Sequence, residues 1–391
     1  MKIKVETLGC KVNQYESELI REQFINAGCK EGTKGQPADI CIINTCTVTT
    51  KTDAESRRLI RKFSRENPDS KIVVTGCYAE LDKKEIAKIS SRLLIFPNSE
   101  KHKIAQYLMK EFSKVSDIPI KKVPNTINRF EGRAKAFVKV QDGCDNFCSY
   151  CKVPLVRGRS RSRQSDEIIN EIKQIVLSGY KEVILTGICL GDWGKGHGVR
   201  LSQLLDEIEN KVKGEFRIRL SSIEPWYISR DLLQRIAASD RICRHLHIPM
   251  QSGDDEILRK MARAFSAQDF LSLINSARSL IPELAFTTDI LVGFPGEREE
   301  HFKNTLEMVR LTQPSRSHIF PFSMREGTRA VLLAADMVSD QIVKARITML
   351  KSLTDRLANE YKKRFIGSPV VVLVEMRRDK DAGLLIGYTD T

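Results

Sequence analysis

Strand-like and helix-like patterns alternate along the first 115 residues, and that alternation constrains the fold more than any other feature of the chain. Strand-like runs at 2–8, 39–44, 71–75 and 93–96 are each followed by a helix-like run, at 13–27, 52–65, 82–89 and 102–112. The order βαβαβαβα calls for a parallel sheet with right-handed crossovers, because a parallel neighbour is reached only through a long connection. In such a doubly wound sheet the loops that leave the strands emerge at one edge, where ligands bind. Cys10 follows the first run, Cys46 the second and Cys77 the third. Cysteines far apart in sequence can thus meet at one point. They read either as a three-thiolate cluster site or as three unrelated buried thiols, since free Cys favours interiors.

Residues 116–133 are polar and turn-rich and read as a linker after a first domain at 1–115. The alternation then resumes over 134–330, with strand candidates at 136–141, 182–186, 217–220, 245–248, 285–291 and 317–322. Six βα units suggest an incomplete (β/α)6 barrel, so the chain as a whole is classed α/β. Residues 336–364 carry one long amphipathic helical pattern inside a helical extension placed at 331–366. The last stretch, 367–391, offers two short strands, at 369–375 and 384–388, too few to bury a core alone.

Chemistry concentrates in the loop after the first barrel strand, Gln-Asp-Gly-Cys-Asp-Asn-Phe-Cys-Ser-Tyr-Cys. Cys144, Cys148 and Cys151 form a Cys-x3-Cys-x2-Cys set, which can hold three irons of a [4Fe-4S] cube and leave the fourth open to a small molecule. A structural zinc or ferredoxin-type site would want a fourth ligand nearby, and the next Cys or His is Cys189. The loop sits at the barrel's C-terminal mouth, where barrel active sites lie. Cys29, Cys41, Cys189 and Cys243 read as non-ligands, with Cys189 the one at the mouth.

A net charge of +14 calls for a polyanionic partner or a solvated basic surface. Arg157, Arg159, Arg161 and Arg163 follow the iron loop directly, and further basic groups stand at 362–364 and 377–380. Such patches attract phosphate, and Arg binds it bidentately. No apolar run reaches membrane-spanning length, and the amino terminus lacks a secretory apolar region. The expected location is the cytoplasm, where ten cysteines stay reduced and serve as ligands or core thiols.

Several segments resemble one family. Thr7–Ser17, Ile42–Thr49 and Val74–Ala79 around the first three cysteines, the cluster loop with its continuation through Arg163, and Leu185–Ile188, Arg219–Pro225, His247–Gly253 and Thr288–Glu297 are similar to radical S-adenosylmethionine (SAM) methylthiotransferases. The resemblance covers essentially the whole chain. Around Cys10 and Cys144 it is closest to the subgroup that acts on N6-threonylcarbamoyladenosine beside the tRNA anticodon. The subgroups acting on isopentenyladenosine tRNA or on a ribosomal protein stand as alternatives. The chain departs from the family pattern at Lys152, Cys189 and Met324.

The resemblance implies two [4Fe-4S] clusters, an auxiliary one on Cys10, Cys46 and Cys77 and a SAM-binding one on Cys144, Cys148 and Cys151. SAM cleavage would give the radical that attacks adenine carbon 2, chemistry that only a cofactor supplies. Tyr150 and Val292 would pack near the SAM adenine, Gly187 would lie beside its methionine end, and Ser222, Glu224 and Gln251 would bond its polar atoms. The four arginines would grip the phosphates of a tRNA anticodon stem-loop while the target base is splayed into the barrel. A flavodoxin-like or ferredoxin-like electron donor and a sulfur donor complete the implied partners. The resemblance also implies a final RNA-binding TRAM β-barrel, of which 367–391 can form only a truncated part. A non-enzymatic RNA-binding protein with structural metal, or an iron-sulfur electron carrier, are the readings from other classes; neither would bind SAM.

Overall fold

The computed structural model describes every residue except 34–35, 114–126, 128–129 and 131–133. It divides into two compact units, Met1–Glu131 with Lys152–Arg159, and Gly132–Cys151 with Ser160–Thr391. The expected linker at 116–133 lies outside the described residues except for Ile127 and Phe130, both buried.

The first unit holds a parallel sheet of β1 (Lys2–Thr7), β2 (Lys30–Glu31), β3 (Ile40–Thr45), β4 (Lys71–Gly76) and β5 (Leu93–Ile95), in the order β2-β1-β3-β4-β5. The inner strands β3 and β4 are apolar and almost wholly buried, as a strand covered by helices on both faces must be. Two cores follow. Ile3, Ile40, Ile42 and Val73 meet Phe24, Ile104 and Leu108 on one side, while Cys41, Ile43, Ile72 and Val74 meet Ile60 and Phe63 on the other. The alternation of side chains along each strand sorts them between the two. Strand order reverses between β1 and β3, the switch point at which sheets of this order bind ligands.

The four sequence-derived strands of this unit appear within about two residues of their expected ends. The two-residue edge strand β2, too short to carry a pattern, was not expected. The helix expected at 82–89 is the shorter Lys83–Ala87, and an additional short helix, Cys77–Leu81, precedes it across Asp82. Cys77 therefore opens a helix directly.

In the second unit, β6 (Lys135–Lys139) is followed by the short antiparallel pair β7 (Gln141–Asp142) and β8 (Arg161–Ser162), which closes the base of the cysteine loop. Then come β9 (Glu182–Thr186), β10 (Arg217–Leu220), β11 (His245–His247), β12 (Ala285–Val292) and β13 (Arg316–Pro321). They form two parallel three-stranded sheets, β6-β9-β10 and β11-β12-β13. Parallel bridges at Ile218–Ile242 and Ser222–His247 join β10 to the β11 side, so the six strands succeed one another in chain order. No pairing closes β13 onto β6 among the described residues, so the barrel is incomplete.

Helix Asp340–Lys363 packs along β13, capped by Ser339, whose side chain accepts from Ile342 N. After a 3-10 segment, Arg329–Asp336, the regular helix begins at Asp340, following the Ser339 cap, and is slightly shorter than the amphipathic pattern at 336–364. Its Arg346 reaches Glu297 Oε1 at 2.6 Å and pins the helix to the loop after β12. Last come β14 (Leu373–Arg378) and β15 (Leu385–Tyr388), an antiparallel pair. They dock at the starts of the barrel strands. Glu375 accepts from Ala134 N at 3.1 Å, and Arg217 donates to the Tyr388 carbonyl at 2.7 Å. Beneath them Glu182, fully buried, takes both Arg217 (2.6 Å) and Arg219 (2.9 Å). Burial pushes its carboxyl up, but the two guanidinium groups outweigh burial and hold it below the usual range.

Candidate active site and metal centre

In the first unit the three strand-end cysteines lie on one edge of the sheet, with Cys77 and Cys10 both near Cys46. Cys10 caps the helix Lys11–Asn26 after β1, Cys46 follows β3, and Cys77 begins the helix after β4. Burial pushes the Cys46 thiol up to about 12, and the neighbouring Cys77 and Cys10 add to that shift. Cys46 and Cys77 are buried while Cys10 is exposed, so the site has one open side. Gly9 makes the approach possible. Its φ is +98°, and a Cβ there would lie 2.7 Å from Cys46 Sγ. Asn13 ties the two loops, donating to the carbonyls of Leu8 (2.8 Å) and Thr45 (3.0 Å).

A buried charge cluster underlies this site. Glu16 accepts from Arg157 at 3.0 and 3.1 Å and from Lys101 at 2.5 Å, and Arg157 also bonds Asn13. Arg157 is 4% exposed, and its guanidinium is spent on Glu16 rather than presented to solvent. That differs from its expected place in an RNA grip, because a carboxylate on the helix Lys11–Asn26 captures it first. Burial lowers Lys101, and Glu16 opposes the shift.

In the second unit Cys144, Cys148 and Cys151 line the loop after β7. Main-chain bonds shape it: Ser149 N donates to Met261 O, Ala330 N to Ser149 O, and Cys151 N to Cys148 O. Gln141, buried at the loop's base, donates to Gly143 O (2.8 Å) and Ser160 Oγ (2.9 Å) and accepts from Cys189 N (2.8 Å). A hydrogen bond with Cys189 lowers the Cys144 thiol and raises that of Cys189. Asn146 meets both sulfurs, through its backbone N to Cys144 Sγ and its side chain to Cys189 Sγ, each at 3.4 Å.

Arg263 is the main side chain beside the cysteine loop that sequence reasoning missed. It donates to Cys148 Sγ (3.6 Å) and Pro249 O (3.0 Å), pairs with Glu224, and lies over the Trp226 ring at 4.8 Å. Burial raises the Cys148 thiol and Arg263 opposes that shift. A lone Arg after a helix carries no sequence signal, since only the fold brings it to the cysteines. Gln141 was missed as well, although its place three residues before Cys144 could have flagged it.

The other expected residues fall as follows. Tyr150 packs against Ile257, Met261, Phe294 and Ala330, and burial pushes its phenol well up. Leu291 packs against the same cluster, whereas Val292 is buried apart from it. Gly187 leaves no room for a Cβ, which would stand 2.9 Å from Gln141 Oε1. Ser222 bridges to His247, and Gln251 holds a left-handed φ of 68° while its backbone N donates to Asp289 O. Arg163 is committed to Glu171 (2.7 Å) and Lys139 O (2.8 Å), whereas Arg159 and Arg161 are exposed. The Cys41, Cys29 and Cys243 thiols are buried away from either set.

Both donor sets fit iron-sulfur chemistry. Each supplies three soft thiols and no fourth ligand from the same loop, and the guanidinium on Cys148 suits a thiolate sulfur. Within the second loop, the Ser149 hydroxyl is buried without a hydrogen-bond partner among the described residues, as is that of Ser221 at the end of β10. Such groups suit a bound polar ligand.

Comparison with known proteins identifies the family. The model of "Uncharacterized protein family UPF0004" matches residues 2–96 and that of the "Radical SAM superfamily" matches 138–309. The threonylcarbamoyladenosine tRNA methylthiotransferase MtaB of Bacillus subtilis is 37% identical, over 99% of this chain and 88% of its own length. Its Thermotoga maritima namesake is 38% identical over 99% and 89%. A tRNA-2-methylthio-N(6)-dimethylallyladenosine synthase of Clostridium tetani is 34% identical over 99% and 88%. Among solved structures, the radical SAM methyltransferase TsrM of Kitasatospora setae superposes with a TM-score of 0.57 at 15% identity, over 82% of this chain and 74% of that one. This last likeness is one of fold.

Proposed function

This chain belongs to the radical SAM tRNA methylthiotransferases, and from that premise we propose that it adds a methylthio group to carbon 2 of N6-threonylcarbamoyladenosine at position 37 of tRNA. What supports the reading is the presence of two separate three-cysteine sets at loops that follow strands, with Cys77 and Cys10 near enough to Cys46 to raise its thiol. One electron-carrying set would not need the other.

Membership of the family implies SAM and a [4Fe-4S] cluster on Cys144, Cys148 and Cys151. When bound, they supply the one-electron chemistry needed to replace an aromatic C–H bond, which no side-chain acid or base can break. The chain's own groups do the rest. Gln141 fixes the base of the cysteine loop, Arg263 orients Cys148 and Glu224, and the apolar cluster around Tyr150 keeps water from the site. Cys10, Cys46 and Cys77 would hold a second cluster that takes part in sulfur delivery. A flavodoxin-like or ferredoxin-like protein would give the electron and a separate donor the sulfur. The reaction would take place in the cytoplasm. Among the described residues no helix is long and apolar enough to cross a membrane.

Threonylcarbamoyl is favoured over isopentenyl because the relatives named for the former are 36–39% identical and those named for the latter 34%. Threonylcarbamoyl carries a carboxylate and a hydroxyl, whereas isopentenyl is an apolar tail. A pocket built to bond the former rejects the latter, because its polar groups would be left unpaired. The test is a side-by-side reaction of the reconstituted enzyme on anticodon stem-loops bearing each modification. Turnover should be confined to the threonylcarbamoyl stem-loop; equal or preferential use of the isopentenyl one overturns the assignment.

A further inference from the structure

Three of the chain's six histidines stand on two strands of the second unit: His245 and His247 on β11, and His318 on β13. Thr287 and Asp289 of β12 lie between them. His247 Nδ1 is 2.9 Å from Thr287 Oγ1, and its Nε2 is 3.2 Å from Asp289 Oδ2. His245 Nε2 approaches the same Thr287 hydroxyl at 3.2 Å. Asp289 is in register with His318, whose ring centroid is 5.8 Å from that of His247. One ligand atom from each of His247, Asp289 and His318 lies within 4.8 Å of the other two.

Strand alternation gives this cluster a direction. On β12, Phe286 packs against Phe270 of the helix Ala267–Leu280, which marks the helix-facing side. Thr287, Asp289 and Leu291 occupy the other side, the inner face of the barrel. Leu291 belongs to the packing around Tyr150 at the mouth, so Asp289 stands one pleat deeper, about 7 Å along the strand. Asp289 and His247 keep partial exposure, 25% and 15%. A polar cluster thus lines an inner face below the cysteine loop, beside the backbone of Ser222 and Gln251, and none of its side chains is assigned to SAM or to a cluster.

We propose that His247, Asp289 and His318 form the subsite that receives the polar group on N6 of the target adenine. This rests on the threonylcarbamoyl reading above and deepens it. The threonylcarbamoyl group presents a carboxylate, a hydroxyl and an amide N–H. His318 donates to the carboxylate, and Asp289, held in place by His247 on its other side, accepts from the hydroxyl or N–H. Acceptors and donors stand side by side, which matches a group carrying both and gives an isopentenyl tail nothing to bond. The same three atoms are close enough to take a divalent ion, and the test separates the two.

The experiment uses cluster-reconstituted enzyme and its His318→Ala, His318→Gln and Asp289→Asn variants, all checked for unchanged iron-sulfur absorbance. Equilibrium binding and KM are measured for anticodon stem-loops bearing threonylcarbamoyl or isopentenyl adenosine, and total metal is counted. Affinity for the threonylcarbamoyl stem-loop should fall about tenfold or more in His318→Ala and Asp289→Asn. Affinity for the isopentenyl stem-loop should not change. His318→Gln, which keeps a donor, should recover much of the loss. An undiminished threonylcarbamoyl preference in both variants overturns the subsite alone. Zinc or manganese bound beyond the iron, and lost in Asp289→Asn with KM unchanged, makes it a metal site instead. A parent enzyme that binds both stem-loops equally overturns the substrate reading, and the subsite falls with it.

Discussion

The two cysteine sets reach the same inventory, three thiols, by opposite routes. Cys10, Cys46 and Cys77 come from three strand ends, and only the completed sheet of the first unit brings them together. Cys144, Cys148 and Cys151 come from one short loop whose spacing already sets their separation. The first set depends on long-range packing: Gly9 against Cys46, Asn13 across two loops, and Glu16 with Arg157 and Lys101 beneath. The second depends on local anchors, Gln141 and the main-chain bonds of Ser149, with Arg263 added by the fold. A site assembled from distant elements should fail when the sheet is disturbed, and a local one should survive.

The largest expected effect separates their roles. Parent enzyme reconstituted without air should hold about eight irons, and replacement of either set by Ala should leave about four. Loss of Cys144, Cys148 and Cys151 should abolish SAM cleavage. Loss of Cys10, Cys46 and Cys77 should keep cleavage and remove sulfur insertion. Iron analysis with deoxyadenosine release decides it; a preparation holding only zinc would sink both assignments.

Gly9→Ala tests the dependence on packing without touching a ligand. The new Cβ meets Cys46 Sγ at a backbone conformation that L residues avoid. Iron should drop from about eight to about four, with SAM cleavage intact. Retention of all the iron would show that the first set tolerates movement of its loop.

The contrast also explains what the sequence revealed. The β/α alternation and the local cysteine loop were legible because both are periodic or contiguous signals, and the strand at 182–186 matches its expectation. The placement of Cys10, Cys46 and Cys77 at strand ends on one edge was legible through topology, since the loops after the strands of a doubly wound sheet share that edge. Arg157 was misplaced because charge in a sequence does not show its partner. An arginine run reads as a surface until Glu16, 141 positions away, takes one of its members. Arg263 was invisible for the same reason, and the His247–Asp289–His318 cluster needed strand register to appear.

Glu182 gives a sharper test of the second unit's scaffold, as distinct from its loop. Its carboxyl is fully buried between Arg217 and Arg219, so Glu182→Gln should cost about 3–5 kcal/mol in chemical unfolding by leaving buried charge unpaired. The sign with pH follows from its depressed folded pKa. The stabilisation is present above the ordinary value of 4.5 and is lost as pH falls below it through the folded value. The parent should therefore lose stability on acidification in that window, and the variant should lose less. Equal acid sensitivity would mean that other carboxylates dominate.

The smallest effects lie in the arginine run, and they divide it. Arg157→Gln should act on stability, at about 3 kcal/mol, because Glu16 keeps Lys101 but loses its second cation in a buried place. Arg159→Gln and Arg161→Gln should leave stability almost unchanged, since both side chains are exposed. If they contact phosphate, each should lower the slope of log tRNA affinity against log salt by about one unit. Arg163, held by Glu171 and the Lys139 carbonyl, should follow Arg157 in affecting stability. The check is a salt titration of tRNA binding beside a denaturant titration for each variant. An unchanged salt slope in the Arg159→Gln/Arg161→Gln double variant would move the tRNA contact away from this run, to the basic segments at 362–364 and 377–380. Arginines that read alike in sequence would then serve only the fold or the solvent.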